Sequence, residues 1–364
     1  MSPKASETAD ALSKKMSEPP RAHDGPPEPE QILFGTSEPP AFPEGNIFPI
    51  EWDIETPKLV DIYEQSRDPG WSPASLPWDT LNPADFTADQ RYAISYWFTL
   101  LSVFDSSGPA VFARAMIQTY ETHEEDPIRK CFFSVVRDEV NHEEICQRAI
   151  TILTPGGPLR HNPETALGKL ALNNAKWYYH NGARYWEGFK SAVHKYPLAI
   201  LFTSFLMGEL AAATLFHGMH QRSTIPVFKE AFRCVGKDEA RHLGICMAVL
   251  RKLLPNLNDE EKATITKQIR AGYIFLSGIL YEPPELFWEL PDTFRDAHRL
   301  IEAEGMAAGL GTLSLEEREE NWRTAVLRMK GIIEGYDIAF PAIPEIGIDG
   351  ETVAFDPNDI IPVF

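Results

Sequence analysis

Two five-residue segments of this chain carry side chains that can bind a transition metal: DEVNH at 138–142 and DEARH at 238–242. In each segment the Glu and the His are three residues apart, so on a helix they share one face. A carboxylate and an imidazole aimed at one point can bind a first-row transition metal. The two segments therefore supply four candidate ligands: Glu139, His142, Glu239 and His242.

The agreement between the two segments argues against coincidence. A single Glu-x-x-His pair arises roughly once by chance in a chain of this length and is usually a salt-bridged surface pair. Here the match extends beyond the ligands, because an Ile-Cys pair places Cys146 and Cys246 four residues after His142 and His242. The repeated pattern predicts a metal site rather than two charged helix faces.

Glu209 is the only charged residue in the apolar segment 197–216, PLAILFTSFLMGELAAATLF. Burying a lone ionised carboxylate is very costly unless a cation neutralises it. The segment is long enough to raise the question of a membrane span. Its central Glu, its polar flank HGMHQRS and the lack of a second such segment favour a buried bundle helix instead. A turn at 223–224, followed by Pro226 at a helix start, would bring Glu209 level with Glu239 on an antiparallel neighbour, which predicts a third carboxylate ligand.

Asp105 is the candidate ligand from the fourth helix of such a bundle. The segment 89–120 reads as a long apolar helix that Pro109 should kink, and Asp105 is the only acid between its first residue and Glu121. Asp105 precedes Glu139 by thirty-four residues, with the turn HEEDP in between. The alternative interpretation is a helix-breaking Asp-Ser-Ser patch. We favour the ligand because the bundle needs a carboxylate at this level.

Asp138 and Asp238 each precede a ligand Glu and lie about 100° round the helix from it. A metal-binding His usually donates its second ring N–H to a carboxylate, which fixes the ring orientation. We therefore expect crossed pairs, Asp138 with His242 and Asp238 with His142. The alternative is two solvated acids, because a sequence does not give side-chain direction. We assign Arg241 to the same outer layer.

Most residues one turn from the ligands are apolar. Their alternative role is core packing, but together they could leave room for a small organic substrate. We assign the following residues to this candidate pocket: Val135, Val136, Cys146, Phe205, Leu206, Ala212, Ala213, Val235 and Gly236.

The six candidate ligands together resemble the ligand set of the ferritin-like diiron carboxylate proteins. That superfamily includes bacterial multicomponent monooxygenase hydroxylases, ribonucleotide reductase small subunits, acyl-carrier-protein desaturases and arylamine N-oxygenases. DEARH at 238–242 is similar to the second motif of the hydroxylases, and Cys146 falls where they carry a cysteine and the reductase subunits a radical tyrosine. The segment 126–139 is similar to a helix of the p-aminobenzoate N-oxygenases, whose additional metal-binding His is replaced here by Val235. The run TSFLMGELAAATLFHG at 203–218 is similar to the third helix of the desaturases.

The resemblance covers 89–254 and implies an all-α fold, a ferritin-like four-helix bundle with a helical crossover and additional C-terminal helices. It also implies homodimerisation, two Fe ions or an Mn/Fe pair, and O2 as cosubstrate. The ligand set, hard and anionic, suits iron or manganese. We expect a diiron monooxygenase that hydroxylates a small organic substrate, free or carrier-bound, with arylamine-type N-oxygenation and desaturation as alternatives. A ferroxidase or iron-handling bundle without an organic substrate is the alternative of another class, and chain length disfavours it.

Changes in composition divide the chain into four parts. Residues 1–45 are rich in Pro and Glu and are expected to form a disordered or loosely docked arm. Residues 46–88 should form an extended segment that wraps the bundle. Residues 89–254 should form the bundle with its crossover helix, and 255–364 should add helices and a tail packed on it.

Charge and cysteine content restrict the partners. The 364 residues include 34 basic and 53 acidic side chains, and the net charge of −19 argues against nucleic acid. The four cysteines form no CxxC pair and the first residues lack an apolar signal core, which favours the cytoplasm. The sequence contains no Gly-rich dinucleotide loop and no iron–sulfur cysteine cluster, so turnover should need a separate electron donor such as a ferredoxin or reductase.

Overall fold

The computed structural model describes residues 55–67, 70–106, 108–122, 124–156, 159–192, 198–280 and 290–354. The predicted arm at 1–45 lies outside the described residues. Within the described residues the regular elements are α-helices and short 3₁₀ turns, with two isolated β-bridges after residue 340. The α-helices are α1 (Pro57–Arg67), α2 (Ala88–Asp105), α3 (Gly108–Glu121), α4 (Asp126–Leu153), α5 (Ala166–Ala192), α6 (Leu198–Arg222), α7 (Pro226–Leu253), α8 (Asp259–Leu280), α9 (Phe294–Ala307) and α10 (Leu315–Glu334).

Four helical positions form the central bundle. The broken helix α2–α3 packs along α4, α6 packs along α7, and α4 also contacts α7. The crossover helix α5 lies against α2 and α9, while α8 and α10 pack on α6. The predicted all-α four-helix bundle with a helical crossover and additional C-terminal helices is confirmed for the described residues.

Local sequence signals set the ends of the bundle helices. Thr87 and Gln90 form a reciprocal capping box at the start of α2, and Pro226 occupies the first turn of α7. The kink predicted at Pro109 is a complete break, since α2 ends at Asp105 and α3 begins at Gly108. A proline lacks the N–H that a continuous helix needs, so the chain restarts with Pro109 in the first turn of α3.

Helix α6 is apolar along most of its length because neighbouring helices cover it. It contacts α3, α7, α8 and α10, and it carries Glu209 into the centre of the bundle. Among the described residues, no helix has the length and apolar character that crossing a membrane requires. The apolar run therefore reflects burial inside the bundle.

The segment predicted as extended, 46–88, is only partly so. Residues 57–67 form α1, which buries Leu59 and Ile62 and packs on α4 and α7. Three 3₁₀ turns follow before α2 begins. The correction has a physical reason: Leu59 and Ile62 are three residues apart, which places them on one helical face toward the bundle.

Candidate metal centre

Glu139, Glu209, Glu239 and His242 converge in the middle of the bundle. Each of these four buried residues offers one ligand atom, and the four atoms lie within 4.8 Å of one another. Helices α4, α6 and α7 supply them, as the level of each residue in the sequence predicts. His242 Nδ1 lies 3.3 Å from both Glu139 Oε1 and Glu209 Oε2.

His142 of α4 faces the same cluster. Its Nδ1 lies 3.4 Å from Glu239 Oε1 and 3.9 Å from Glu139 Oε2, while Glu239 Oε2 lies 3.6 Å from His242 Nδ1. Glu139 and Glu239 thus each turn one carboxylate oxygen toward each imidazole. These two carboxylates and two imidazoles could therefore take part in holding a pair of cations.

Asp105 lies beside the cluster rather than within the group of four. It is the last residue of α2, and its Oδ2 accepts a 3.5 Å contact from Cys146 Sγ. Burial and the charges of Glu139 and Glu239 raise the pKa of its carboxyl group to about 8, against the opposing effect of His142. Asp105 therefore lies on the same side of the cluster as His142, and both residues line one small cavity. Glu209 lies on the other side, next to His242.

The aspartates before the ligand glutamates make crossed contacts. Asp138 Oδ2 is 3.3 Å from His242 Nε2, and Asp238 Oδ2 is 3.3 Å from His142 Nε2. Arg241 donates from Nη2 to both aspartates. Both acids are buried, in contrast to the alternative of two solvated acids, and the pKa of each lies below its usual range because these partners outweigh the effect of burial.

Trp71 is a residue of this site that sequence reasoning missed. Its indole Nε1 donates a 2.8 Å hydrogen bond to Asp238 Oδ2, and its ring stacks on His142 with centroids 6.2 Å apart and planes at 7°. It lies 167 residues before Asp238, in the segment predicted only to wrap the outside. The local sequence around Trp71 contains no signal for this contact, because only the fold brings the two residues together.

The inner nitrogens of both histidines are left for a cation. When Nε2 donates to an aspartate, Nδ1 presents its lone pair to the carboxylate cluster. His142 Nδ1, His242 Nδ1 and Glu209 Oε2 are buried without a hydrogen-bond partner in the structure. Buried polar atoms are rarely left unpaired. Carboxylate oxygens and imidazole nitrogens that share one buried space are the donors that iron or manganese takes once a bound cation has displaced their protons, so the residues fit a metal.

The pKa values of these groups are shifted by burial and by the charges of their neighbours. Burial and the nearby charge of Glu209 raise the pKa of Glu239 to about 7. Burial lowers the pKa of His142, but the hydrogen bond with Asp238 and the carboxylates of Glu139 and Glu239 outweigh it and raise the value to about 10. The pKa of His242 is also raised, by Glu209 among others. The cluster thus attracts positive charge, as a metal site should.

A small, mainly apolar cavity adjoins the centre on the Asp105 side. Its lining comprises Phe98, Leu101, Asp105, His142, Ile145, Cys146, Phe216, Ala231, Phe232 and Val235. Of the predicted pocket residues, Cys146 and Val235 line it. The remaining seven do not line this cavity: Val135, Val136, Phe205, Leu206, Ala212, Ala213 and Gly236. A residue one turn from a ligand can lie on either side of the metal, and Phe205, for example, packs against Phe112 and Phe202.

No family model and no curated protein matches this chain. Among solved structures it is similar to a variant of an R2-like ligand-binding oxidase with an aerobically reconstituted Mn/Fe cofactor. The identity is 12%, the TM-score is 0.48, and the match covers 79% of this chain and 95% of that chain. These values are too low to transfer that protein's cofactor or activity, so the assignment of the centre depends on the residues described above.

Proposed function

We propose that this chain is a non-haem diiron oxygenase, using two Fe ions or an Mn/Fe pair, that hydroxylates a small organic substrate with O2. The main observation behind the proposal is the position of Glu139 and Glu239. Each glutamate has one carboxylate oxygen within 4 Å of Nδ1 of each histidine. Glu209 and Asp105 would be the further carboxylates that hold such metals, Glu209 together with His242 and Asp105 together with His142. When bound, a reduced pair of such metals would supply two electrons to O2.

The protein side chains do the positioning. Asp138 and Asp238 hold the two imidazoles with Nδ1 toward the cluster, and Arg241 donates hydrogen bonds to both aspartates, offsetting part of their negative charge. The cavity next to Asp105 and His142 has a volume of only about 10 Å³, so an organic substrate would require the surrounding side chains to move apart. Because most of these side chains are apolar, an uncharged, mainly apolar substrate would suit the enlarged space.

The same centre could serve N-oxygenation or desaturation, since the reaction depends on which substrate atom the cavity presents. The length of the chain, well beyond what four helices need, favours an organic substrate over a ferroxidase role. The proposal also includes a separate electron donor, which is expected because the sequence lacks electron-transfer motifs of its own, and a homodimer, which only the family resemblance implies.

The first test is metal content combined with reaction of the reduced protein with O2. We expect about two metal ions per chain and an optical transient whose decay accelerates when the right substrate is added. Glu239→Gln should lower the metal content, whereas Glu143→Gln, an acid one turn from Glu139 on the outer side of α4, should not. One metal or fewer per chain in the parent protein would contradict the dinuclear centre. Repeated oxidation of added Fe(II) without any organic product would favour the ferroxidase.

A further inference from the structure

Helix α7 carries a row of four basic residues, here called the basic ladder: the exposed Lys229 and Lys237 and the partly buried Arg233 and Arg241. The four are spaced four residues apart, so each lies about 40° round the helix from the next. The residues between 229 and 241 that are not fully buried include four cations and one acid, Glu230. In a chain with a net charge of −19, this is a local reversal of sign.

Two of the four charges are available to a partner. Glu230 pairs with Arg233, and Asp138 and Asp238 pair with Arg241. Within the described part of the chain, the ammonium groups of Lys229 and Lys237 have no ion-pair partner, and both residues are exposed. Their positive charges therefore face solvent.

The ladder leads to the metal centre. Arg241 at its inner end donates hydrogen bonds to Asp138 and Asp238, which contact the imidazoles of His242 and His142. Arg137 of α4 joins it from the neighbouring helix, since it also donates to Asp138. The row of basic residues thus runs from Lys229, which is exposed to solvent, to Arg241. Arg241 is hydrogen-bonded to the two aspartates that orient the candidate histidine ligands.

We infer that the basic ladder is the docking surface for an acidic one-electron carrier protein that reduces the metal centre. This inference rests on the proposed function, which needs two external electrons per turnover. The negative charge of the rest of the chain repels such a carrier, while Lys229 and Lys237 attract it at one face, so the two proteins meet in one orientation. Each encounter passes one electron from the reduced carrier to the metals, and two encounters supply the pair.

The test uses the metal-loaded full chain and a reduced acidic [2Fe–2S] ferredoxin as the probe, mixed anaerobically. The variant is Lys229→Glu/Lys237→Glu, and the matched control is Lys169→Glu/Lys176→Glu, two exposed lysines on α5. We expect the second-order rate constant for metal reduction to fall about tenfold or more in the ladder variant at low ionic strength. The parent rate should fall as salt is added, and the variant should lose most of that dependence. The α5 control should behave like the parent.

Two further measurements distinguish a failure of the docking inference from a failure of the proposed metal centre. Dithionite, a small reductant that needs no docking surface, should reduce the parent and the ladder variant at equal rates. Equal ferredoxin rates in both proteins, or a loss in the α5 control of the same size, would overturn the docking inference and leave the metal centre intact. A parent protein that binds no metal would overturn both proposals. Calorimetry with oxidised ferredoxin should show weaker binding to the ladder variant, and ladder-dependent binding of duplex DNA instead would reassign the surface.

Discussion

Asp138 and Asp238 occupy equivalent positions on α4 and α7, yet their surroundings differ. Asp138 contacts the guanidinium groups of Arg137 and Arg241, whereas Asp238 contacts Arg241 and the indole of Trp71. An aspartate with two cationic partners is more fully neutralised than one with a single cation. The imidazoles that they orient are therefore unequal donors, and the two metal positions should differ in affinity.

Trp71→Phe tests the indole contact at the metal centre. The substitution keeps an aromatic ring next to His142 but removes the indole N–H that donates a hydrogen bond to Asp238. Loss of an outer partner of this kind lowers metal affinity about tenfold or more. A competition titration with a chromogenic chelator measures the change. Trp78→Phe is the control, because that indole donates to the Pro73 carbonyl, and equal affinities of the two variants would contradict a role for Trp71.

Individual residues of the site differ in how well their positions could be predicted from the sequence. The convergence of Glu139, Glu209, Glu239 and His242 could be predicted, because spacing within a helix and across a short turn fixes their relative level. Trp71 could not be predicted, since nothing local links it to α7. The position of Asp105 was predicted only approximately, because its carboxyl direction depends on how α2 ends.

At the scale of elements, the break between α2 and α3 shapes the centre. α3 begins at Gly108, where a Cβ atom would come within 2.5 Å of Glu139 Oε2. Only a residue without a side chain allows this close approach. The interruption that Pro109 imposes thus brings backbone, rather than a side chain, against the Glu139 carboxylate.

Gly108→Ala should displace the Glu139 carboxylate and lower metal content. The backbone restart of α3 cannot move freely, so the carboxylate must shift from its place between the two histidines. The control is Gly331→Ala in α10, where a Cβ would meet nothing within 4 Å. That change should leave metal content unaltered and stabilise the helix by up to about 1 kcal/mol. Elemental analysis and thermal unfolding measure both effects, and full metal loading of Gly108→Ala would refute the steric argument.

The starts of α2 and α7 have local signals in the sequence. Thr87 and Gln90 form the capping box of α2, and Pro226 lies in the first turn of α7. Helix α1 was missed because its neighbourhood is rich in proline and tryptophan, which suggested extended chain. Its buried face becomes evident only against α4 and α7.

At the scale of the whole molecule, the cluster links stability to pH. Asp105 has a pKa of about 8 in the folded protein against 3.8 for the free group, and Glu239 about 7 against 4.5. At a pH between the free and the folded pKa of either group, the folded state binds more protons than the unfolded state. The free energy of unfolding therefore falls as pH rises. His142, raised from 6.5 to about 10, contributes stability that is complete below 6.5 and lost as pH rises through 10. All three groups therefore act in the same direction.

We expect the metal-free protein to lose stability between about pH 6 and pH 9, with a slope of up to about 1.4 kcal/mol per pH unit for each group. Urea unfolding at several pH values measures this. Asp105→Asn should flatten the slope below pH 8 by removing one titrating group. Metal binding should release protons and also flatten the slope, because the ligands must lose their protons. Stability that rises over this range would contradict the assignment.

The crossed contacts have a consequence for how such a chain can change over generations. Each aspartate serves the histidine of the opposite helix, so neither metal-binding segment is self-sufficient. A substitution at position 138 should alter the orientation of the His242 imidazole, so a compensating change would have to arise in the other segment. We therefore expect the two segments, a hundred residues apart in the chain, to accept substitutions only in combination.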